Sequence, residues 1–365
     1  MTTQDTLQQI VHNFLPANES FAAAEAFGNG HINDTFKVTT EDGANAYILQ
    51  RINHHVFRNV PLLQNNIITV TAHIRRKLAE RGETDLNRKT LRFLNTADGL
   101  SWHYDGENYW RLCYFIPQSI GYDGGITPAL AKQAGNAFGD FQAMLADMPD
   151  GAIGETIPGF HDMQLRLRQF REAVNADPVG RRQEVNDIIA EIESRADAMC
   201  IQDKLFALGK LPKRINHCDT KVNNLLFDQD GSTLCVVDLD TVMPAFVLSD
   251  IGDFIRTGAN TGAEDDINLD RVGVNIEIFE AYTSGYMERA LAFLTPTEIE
   301  MLPYGGKMLT YMQTVRFLTD HLNGDVYYKI HHHGHNLQRT RAQFKLLTSL
   351  EDNATEMNNF MKQWL

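Results

Sequence analysis

The chain has 365 residues, 43% of them hydrophobic, which is enough for two lobes with separate cores by the guide of roughly 100–200 residues per domain. Its 47 acidic residues against 33 basic ones leave a formal charge of -14. That balance disfavours a nucleic-acid or anionic-membrane partner, because phosphate surfaces are bound mainly through Lys and Arg. The four cysteines, Cys113, Cys200, Cys218 and Cys235, show no C-x-x-C spacing, so neither a zinc site nor a disulfide framework is expected. Residues 1–15 lack a basic region followed by an apolar core, and no run approaches the ~18 apolar residues of a spanning helix. A cytoplasmic monomer or weak homodimer is the expectation.

The first twenty or so residues carry no clear signal. Residues 27–38 contain glycines and then Thr35-Phe36-Lys37-Val38, which alternates as a strand does; after the Asp42-Gly43 turn, 46–52 reads as its hairpin partner. Apolar positions Leu62, Leu63, Ile67, Ile68, Val70 and Ile74 form a helical stripe over 61–81, closed by Gly82. Strands are expected at 90–94 and at 109–116, the second running into Pro117 at an interlobe hinge. Beyond it the periodicity is helical, over about 128–148, 163–175, 181–208, 270–292, 296–322 and 337–362. Residues 150–159 read as a flexible insertion, and there is no internal repeat.

Between those helices lies the most informative stretch, Ile215-Asn216-His217-Cys218-Asp219-Thr220-Lys221-Val222-Asn223-Asn224, followed by the apolar run 234–237 and Asp238-Leu239-Asp240. The order H-x-D-x-x-x-x-N, short strand, D-x-D suits phosphoryl transfer, where positioning and charge neutralisation do most of the work. Asp219 is expected to accept the proton of an attacking hydroxyl, and Lys221 to reach the transferred phosphate as a point charge. Asn224 and Asp238 offer the hard oxygen donors that Mg2+ takes. His217 is expected to hold the loop.

These motifs resemble the aminoglycoside phosphotransferase and choline kinase superfamily. Gly28-Asn29-Gly30-His31-Ile32-Asn33, Tyr47-Ile48-Leu49-Gln50, Ala137-Phe138-Gly139-Asp140-Phe141-Gln142, Asp238-Leu239-Asp240-Thr241-Val242-Met243-Pro244, Gly252-Asp253-Phe254-Ile255-Arg256 and Val315-Arg316-Phe317-Leu318 are similar to its N-acetylhexosamine 1-kinase subgroup. The resemblance spans nearly the whole chain. It implies an α+β, two-lobed protein-kinase-like fold, with a small antiparallel-sheet lobe (1–116) and a large helical lobe (117–365). It also implies ATP and Mg2+ as cofactors, and a sugar substrate phosphorylated on its anomeric hydroxyl, N-acetylglucosamine or N-acetylgalactosamine. Kinases of choline, homoserine or aminoglycosides, and a non-catalytic nucleotide- or sugar-binding protein, are the alternatives.

The glycine loop alone would read as a turn. With the resemblance, Gly28 and Gly30 are expected near ATP phosphates and His31 and Asn33 near the sugar, while the backbone of Tyr114, Phe115 and Ile116 is expected to read the adenine edge. One departure from the superfamily pattern stands out. The third-strand Lys is replaced by Gln50, or by Arg51 if the register is off by one, and the helix from Pro61 has no acid before Glu80 to pair with such a Lys. The two losses are coherent, since a buried charge without its partner is expensive.

For the acceptor, Asp240, Asp253, Arg256 and Arg316 are candidates. Asp250 and Asp253 have bracing of loops as their other reading, and Tyr327 and Tyr328 either wall a pocket or pack in the core. Consecutive histidines at 331–333 point in different directions, so this stretch is read as surface.

Overall fold

The computed structural model describes residues 3–28 and 32–365. The chain divides into two compact units, one of Met1–Gly121, Asp147–Pro158 and Leu225–Met243, the other of Tyr122–Ala146, Gly159–Asn224 and Pro244–Leu365.

The first unit is built on a five-stranded antiparallel sheet. Its strands are β1 (Phe21–Ala26), β2 (Asp34–Thr40), β3 (Ala46–Ile52), β4 (His103–Tyr104) and β5 (Tyr109–Tyr114), in the order β1-β2-β3-β5-β4. The β2–β3 turn puts Gly43 at φ +64°, where glycine meets no Cβ penalty. Helix α1 (Gln4–His12) is capped by Thr3 and buries Leu7, Ile10 and Val11 with Val38, Tyr47, Leu49, Trp110 and Leu112. Both α1 and β1 lie in or beside the uninformative stretch. Helix α2 (Val60–Glu80) follows its predicted stripe, capped by Asn59.

The strand expected at 90–94 is not one. A short helix, α3 (Leu86–Lys89), precedes it, and only Phe93 forms an isolated bridge, to Cys113. The unit closes with the hairpin β7 (Leu225–Phe227) and β8 (Thr233–Val236), which delivers Asp238 into a one-turn 3-10 helix, Leu239–Thr241.

The second unit is helical. Helices α4 (Pro128–Leu145) and α5 (Met163–Ala176) match the periodicity, whereas 181–208 breaks into α6 (Asn186–Arg195) and α7 (Ile201–Ala207), preceded by 3-10 turns at Arg182–Val185 and Ala198–Cys200. Strand β6 (Arg214–Asn216) leads into the H-x-D loop, and β9 (Met243–Ala245) follows the D-x-D turn. Helix α8 (Val247–Gly258) lies outside the segments expected to be helical, and it is almost wholly buried.

Helix α9 (Ile276–Ala290) lies against α4 so closely that a Cβ on Gly285 would sit 1.9 Å from the Lys132 carbonyl oxygen. Helix α10 (Pro296–Leu322) has its predicted bounds, set by a capping box of Thr295 and Glu298 with Pro296 in the first turn. The last stretch splits into α11 (His335–Asp352) and α12 (Ala354–Met361), because Asn353 folds its side-chain amide back onto the Ser349 carbonyl at 2.8 Å.

Candidate active site

The H-x-D loop is held from beneath by α8. Asp250 accepts the backbone N–H of His217 at 3.0 Å and of Cys218 at 2.7 Å, and its own carbonyl accepts the Thr220 hydroxyl at 2.5 Å. Gln142 of α4 donates to Asp250 at 2.6 Å and to Asn216 at 2.7 Å, and itself accepts from Tyr286. The bracing role considered for Asp250 is what its contacts describe. The loop needs the support because Cys218 sits at φ +65°, a conformation L-residues adopt rarely. The His217 ring lies edge-on to Phe138 and Phe141, at 5.5 and 5.9 Å.

On this support Asp219, Lys221 and Asn224 come together. Lys221 Nζ is 3.0 Å from Asp219 Oδ1, and Asn224 Nδ2 donates to Asp219 Oδ2 at 3.0 Å and to its carbonyl at 2.8 Å. Burial acts to raise the Asp219 carboxyl, but the charges of Lys221 and His217 and these hydrogen bonds outweigh it, holding the group below the usual carboxylate range. Lys221 is pushed above its ordinary value, chiefly by Asp219.

Two other predicted groups lie in the same unit. Asp253 Oδ1 is 2.9 Å from Arg256, and its Oδ2 is buried with no hydrogen-bond partner among the described residues. Arg256 also reaches Glu264 at 2.6 Å. Arg316 donates to Gln313 at 2.8 Å, has its guanidinium 5.7, 5.9 and 5.5 Å from the rings of Phe160, Tyr327 and Tyr328, and forms no ion pair with any described Asp or Glu. It lines a cavity of about 450 Å³ shared with Arg166, Thr319, Asp320 and both tyrosines. Asp320 faces this cavity already committed, since its oxygens take the N–H groups of Val326, Tyr327 and Tyr328 and the Asn336 amide.

Nearby, burial and then the charges of Arg316 and Arg166 pull His161 down to about 3, so it is neutral. His161 Nδ1, Arg166 Nε and the Tyr328 hydroxyl are buried without partners among the described residues. His161, Arg166 and Glu264 were not legible in the sequence, because each gains its meaning only from side chains distant in the chain.

In the first unit, Asp238 is exposed and left-handed at φ +56°, and Asp240 is 2% exposed. Both Asp240 oxygens are engaged, by Arg111 at 2.5 Å and by Asn33 at 2.6 Å. The strand register puts Gln50 and Arg51 on opposite faces of the sheet. Gln50 pairs with Arg111 and accepts its Nε–H at 2.9 Å, while Arg51 projects to the other face and pairs with Asp34. The buried cation is therefore Arg111, one strand away from where the pattern sought it. A charged residue inside the apolar run Trp110-Arg111-Leu112-Cys113 was the available signal.

At the hinge, the N–H groups of Tyr114 and Phe115 donate to the carbonyls of Arg92 and Ala46, at 3.0 and 2.9 Å. Gly28 sits at φ +72°, and Gly30 and His31 lie outside the described residues.

The donor set fits Mg2+. Because Asn224 turns its nitrogen onto Asp219, its amide oxygen is directed elsewhere, and such an oxygen, like a carboxylate, is the hard donor that Mg2+ takes. Among the described residues no group of three or more His, Cys, Asp or Glu is disposed to hold a metal unaided. No described helix is long and apolar enough to cross a membrane.

An H-x-D loop followed by a β-hairpin and D-x-D turn, in a chain with an antiparallel sheet unit and a helical unit, defines a phosphotransferase of the kinase-like α+β fold. The chain belongs to the phosphotransferase enzyme family, whose pattern matches residues 23–286. Solved structures share the fold. An aminoglycoside phosphotransferase from Alicyclobacillus acidocaldarius has a TM-score of 0.61 at 14% identity, covering 98% of this chain and 96% of its own. A spectinomycin phosphotransferase, solved with ADP and spectinomycin, gives 0.60 at 14% identity over 97% of this chain and 99% of that one. A microcompartment-associated aminopropanol kinase gives 0.57 at 14%, over 97% and 98%.

Proposed function

We propose that this protein is an ATP- and Mg2+-dependent kinase that phosphorylates the anomeric hydroxyl of N-acetylglucosamine or N-acetylgalactosamine. In this reading Asp219 takes the proton of the acceptor hydroxyl as its oxygen forms a bond to the γ-phosphorus and the bond to the ADP oxygen breaks. Lys221 stands beside Asp219 as a charge for the phosphate in transit. Asn224 and Asp238 hold the metal, which when bound neutralises charge on the phosphates. Gly28 and Gly30 approach those phosphates, and the backbone at Tyr114, Phe115 and Ile116 meets adenine, with Ile116 the donor because the N–H groups of its two predecessors are already engaged by Arg92 and Ala46.

The observation that carries the choice of acceptor is the wall around Arg316. A part-buried guanidinium with no ion pair among the described residues, near Arg166 and a neutral His161, disfavours the ammonium groups of choline, aminopropanol or an aminoglycoside at that part of a cavity that Glu172 and Asp320 also line. The same donors, with the unpartnered Tyr328 hydroxyl and Asp253 Oδ2, suit the hydroxyl and carbonyl oxygens of an acylated sugar. Asp253 and Arg316 are assigned to the sugar together with His31. Asp240 and Asn33, whose groups are engaged with each other, brace the site rather than meeting the sugar through those atoms.

The test is ADP release with Mg-ATP across N-acetylglucosamine, N-acetylgalactosamine, glucose, choline, homoserine and kanamycin. Turnover confined to amines overturns the sugar assignment and leaves the phosphotransferase standing.

A further inference from the structure

Arg111 lies within β5, flanked by Trp110 and Leu112, and is 2% exposed. An isolated guanidinium there would cost several kcal/mol, so the fold must answer it with opposite charge. The answer is a line of hydrogen bonds running through the unit. Arg111 Nη1 meets Asp240 Oδ1 at 2.5 Å and its Nε meets Gln50 Oε1 at 2.9 Å, while Gln50 Nε2 donates to Thr35 at 3.2 Å. From Asp240 the line turns back to the glycine loop: Oδ2 accepts from Asn33 at 2.6 Å, and Asn33 Oδ1 accepts the Asn53 N–H at 2.9 Å. Burial works against the Arg111 charge, but Asp240 and then Asp238 more than offset it.

The turn that this line grips carries a strained residue. Asp238 is a non-glycine at φ +56°, ψ +58°, a state that persists only where the surroundings hold it. Asn66 of α2 secures the far side of the same turn by donating to the Val242 carbonyl at 3.2 Å. Helix α2 thus supplies an amide to this turn, and β5 supplies the cation that β3 lacks.

We propose that Arg111 is a positioning residue for the phosphate- and metal-binding residues of this unit: clamped to Asp240, it fixes the turn that presents Asp238 and, through the second Asp240 oxygen, holds Asn33 in place. This rests on the reading of Asp238 as a metal ligand and of the glycine loop as a phosphate loop. In function the clamp replaces the Lys–acid ion pair missing at Gln50.

The test is equilibrium binding, by calorimetry, of adenosine, ATP and Mg-ATP to the wild-type protein, Arg111→Lys, Arg111→Met and the double variant Arg111→Met/Asp240→Leu. The double variant removes both buried charges together and so avoids stranding Asp240. Arg111→Met and the double variant are expected to bind Mg-ATP about tenfold or more weakly, a change of roughly 1.4 kcal/mol, with adenosine within about twofold of wild type. Arg111→Lys, which keeps the charge and loses the fork, is expected to fall between them, and it carries the same comparison should the other two not fold.

Mg-ATP binding within about twofold of wild type in a folded variant overturns the proposal, as does an equal loss for adenosine and Mg-ATP. A wild-type protein that binds neither nucleotide fails earlier and differently, removing the kinase reading itself.

Discussion

Asn224 turns back onto Asp219, its amide nitrogen 3.0 Å from the carboxylate Oδ2 and 2.8 Å from the carbonyl oxygen of the same residue. Under the proposed function one side chain thus fixes the base and leaves its own oxygen for a cation. Asn224→Ala is expected to lose both: Mg-ATP binds about tenfold more weakly, and turnover falls further than binding does. Calorimetry with and without Mg2+, beside steady-state rates, checks this. Unchanged metal dependence would remove Asn224 as a ligand.

Under the proposed function Lys221 is expected to set the acid side of the pH profile. Its charge is the largest influence lowering the Asp219 carboxyl, with burial opposing, so Lys221→Met should raise that carboxyl toward its ordinary value and above. The base works ionised, so the acid limb of kcat/KM is expected to move to higher pH in the variant. The depressed folded value also means that this pair stabilises the protein above the unfolded carboxylate value of 3.8 and ceases to as pH falls through the folded one. Thermal melts of Lys221→Met should accordingly lose part of the wild-type decline at low pH. An acid limb that stays in place would contradict the assignment of Asp219 as base.

Arg316→Ala is expected to raise the KM for N-acetylglucosamine by about tenfold or more while leaving the KM for ATP within about twofold, since a hydrogen bond to a charged group is worth roughly 1.5–3 kcal/mol. Arg316→Glu should go further and admit choline or an aminoglycoside as a weak substrate, because it replaces a cation with a third acid on a wall that already holds Glu172 and Asp320. Steady-state kinetics with both substrates varied decides it; equal effects on sugar and ATP would point to a folding defect.

Gly285 gives a stability test away from the chemistry. Alanine is the better helix former by about 1 kcal/mol, yet its Cβ would stand 1.9 Å from the Lys132 carbonyl oxygen, so α9 must move away from α4. Overpacking of this kind costs about 1–3 kcal/mol and sometimes more, so Gly285→Ala is expected to lower the denaturant midpoint. A neutral or raised midpoint would contradict the close helix contact.

Much of the fold was legible because local signals and tertiary outcome agree. The apolar stripe of 296–322 coincides with a helix whose Thr295, Pro296 and Glu298 are all start signals, and the alternation of 46–52 coincides with a central strand. Legibility failed where tertiary partners override composition. Asp250, Asp253 and Arg256 look like loop residues, but on α8 each answers a partner that only folding supplies. Thr90 to Leu94 has strand composition, yet it contributes only single backbone bonds beside β5. For the site, Asp219, Lys221 and Asn224 share one short loop and could be read together. Arg111 could not be tied to Asp240 without the sheet register that places Gln50 between them and Thr35.

The most direct test is phosphorus NMR of the product formed from N-acetylglucosamine and Mg-ATP by the wild-type protein and by Asp219→Asn. An anomeric sugar phosphate signal from the wild type, with turnover lost in a variant that still binds ATP, is the expected result. A phosphate on any other hydroxyl, no sugar product, or wild-type turnover in Asp219→Asn would contradict it.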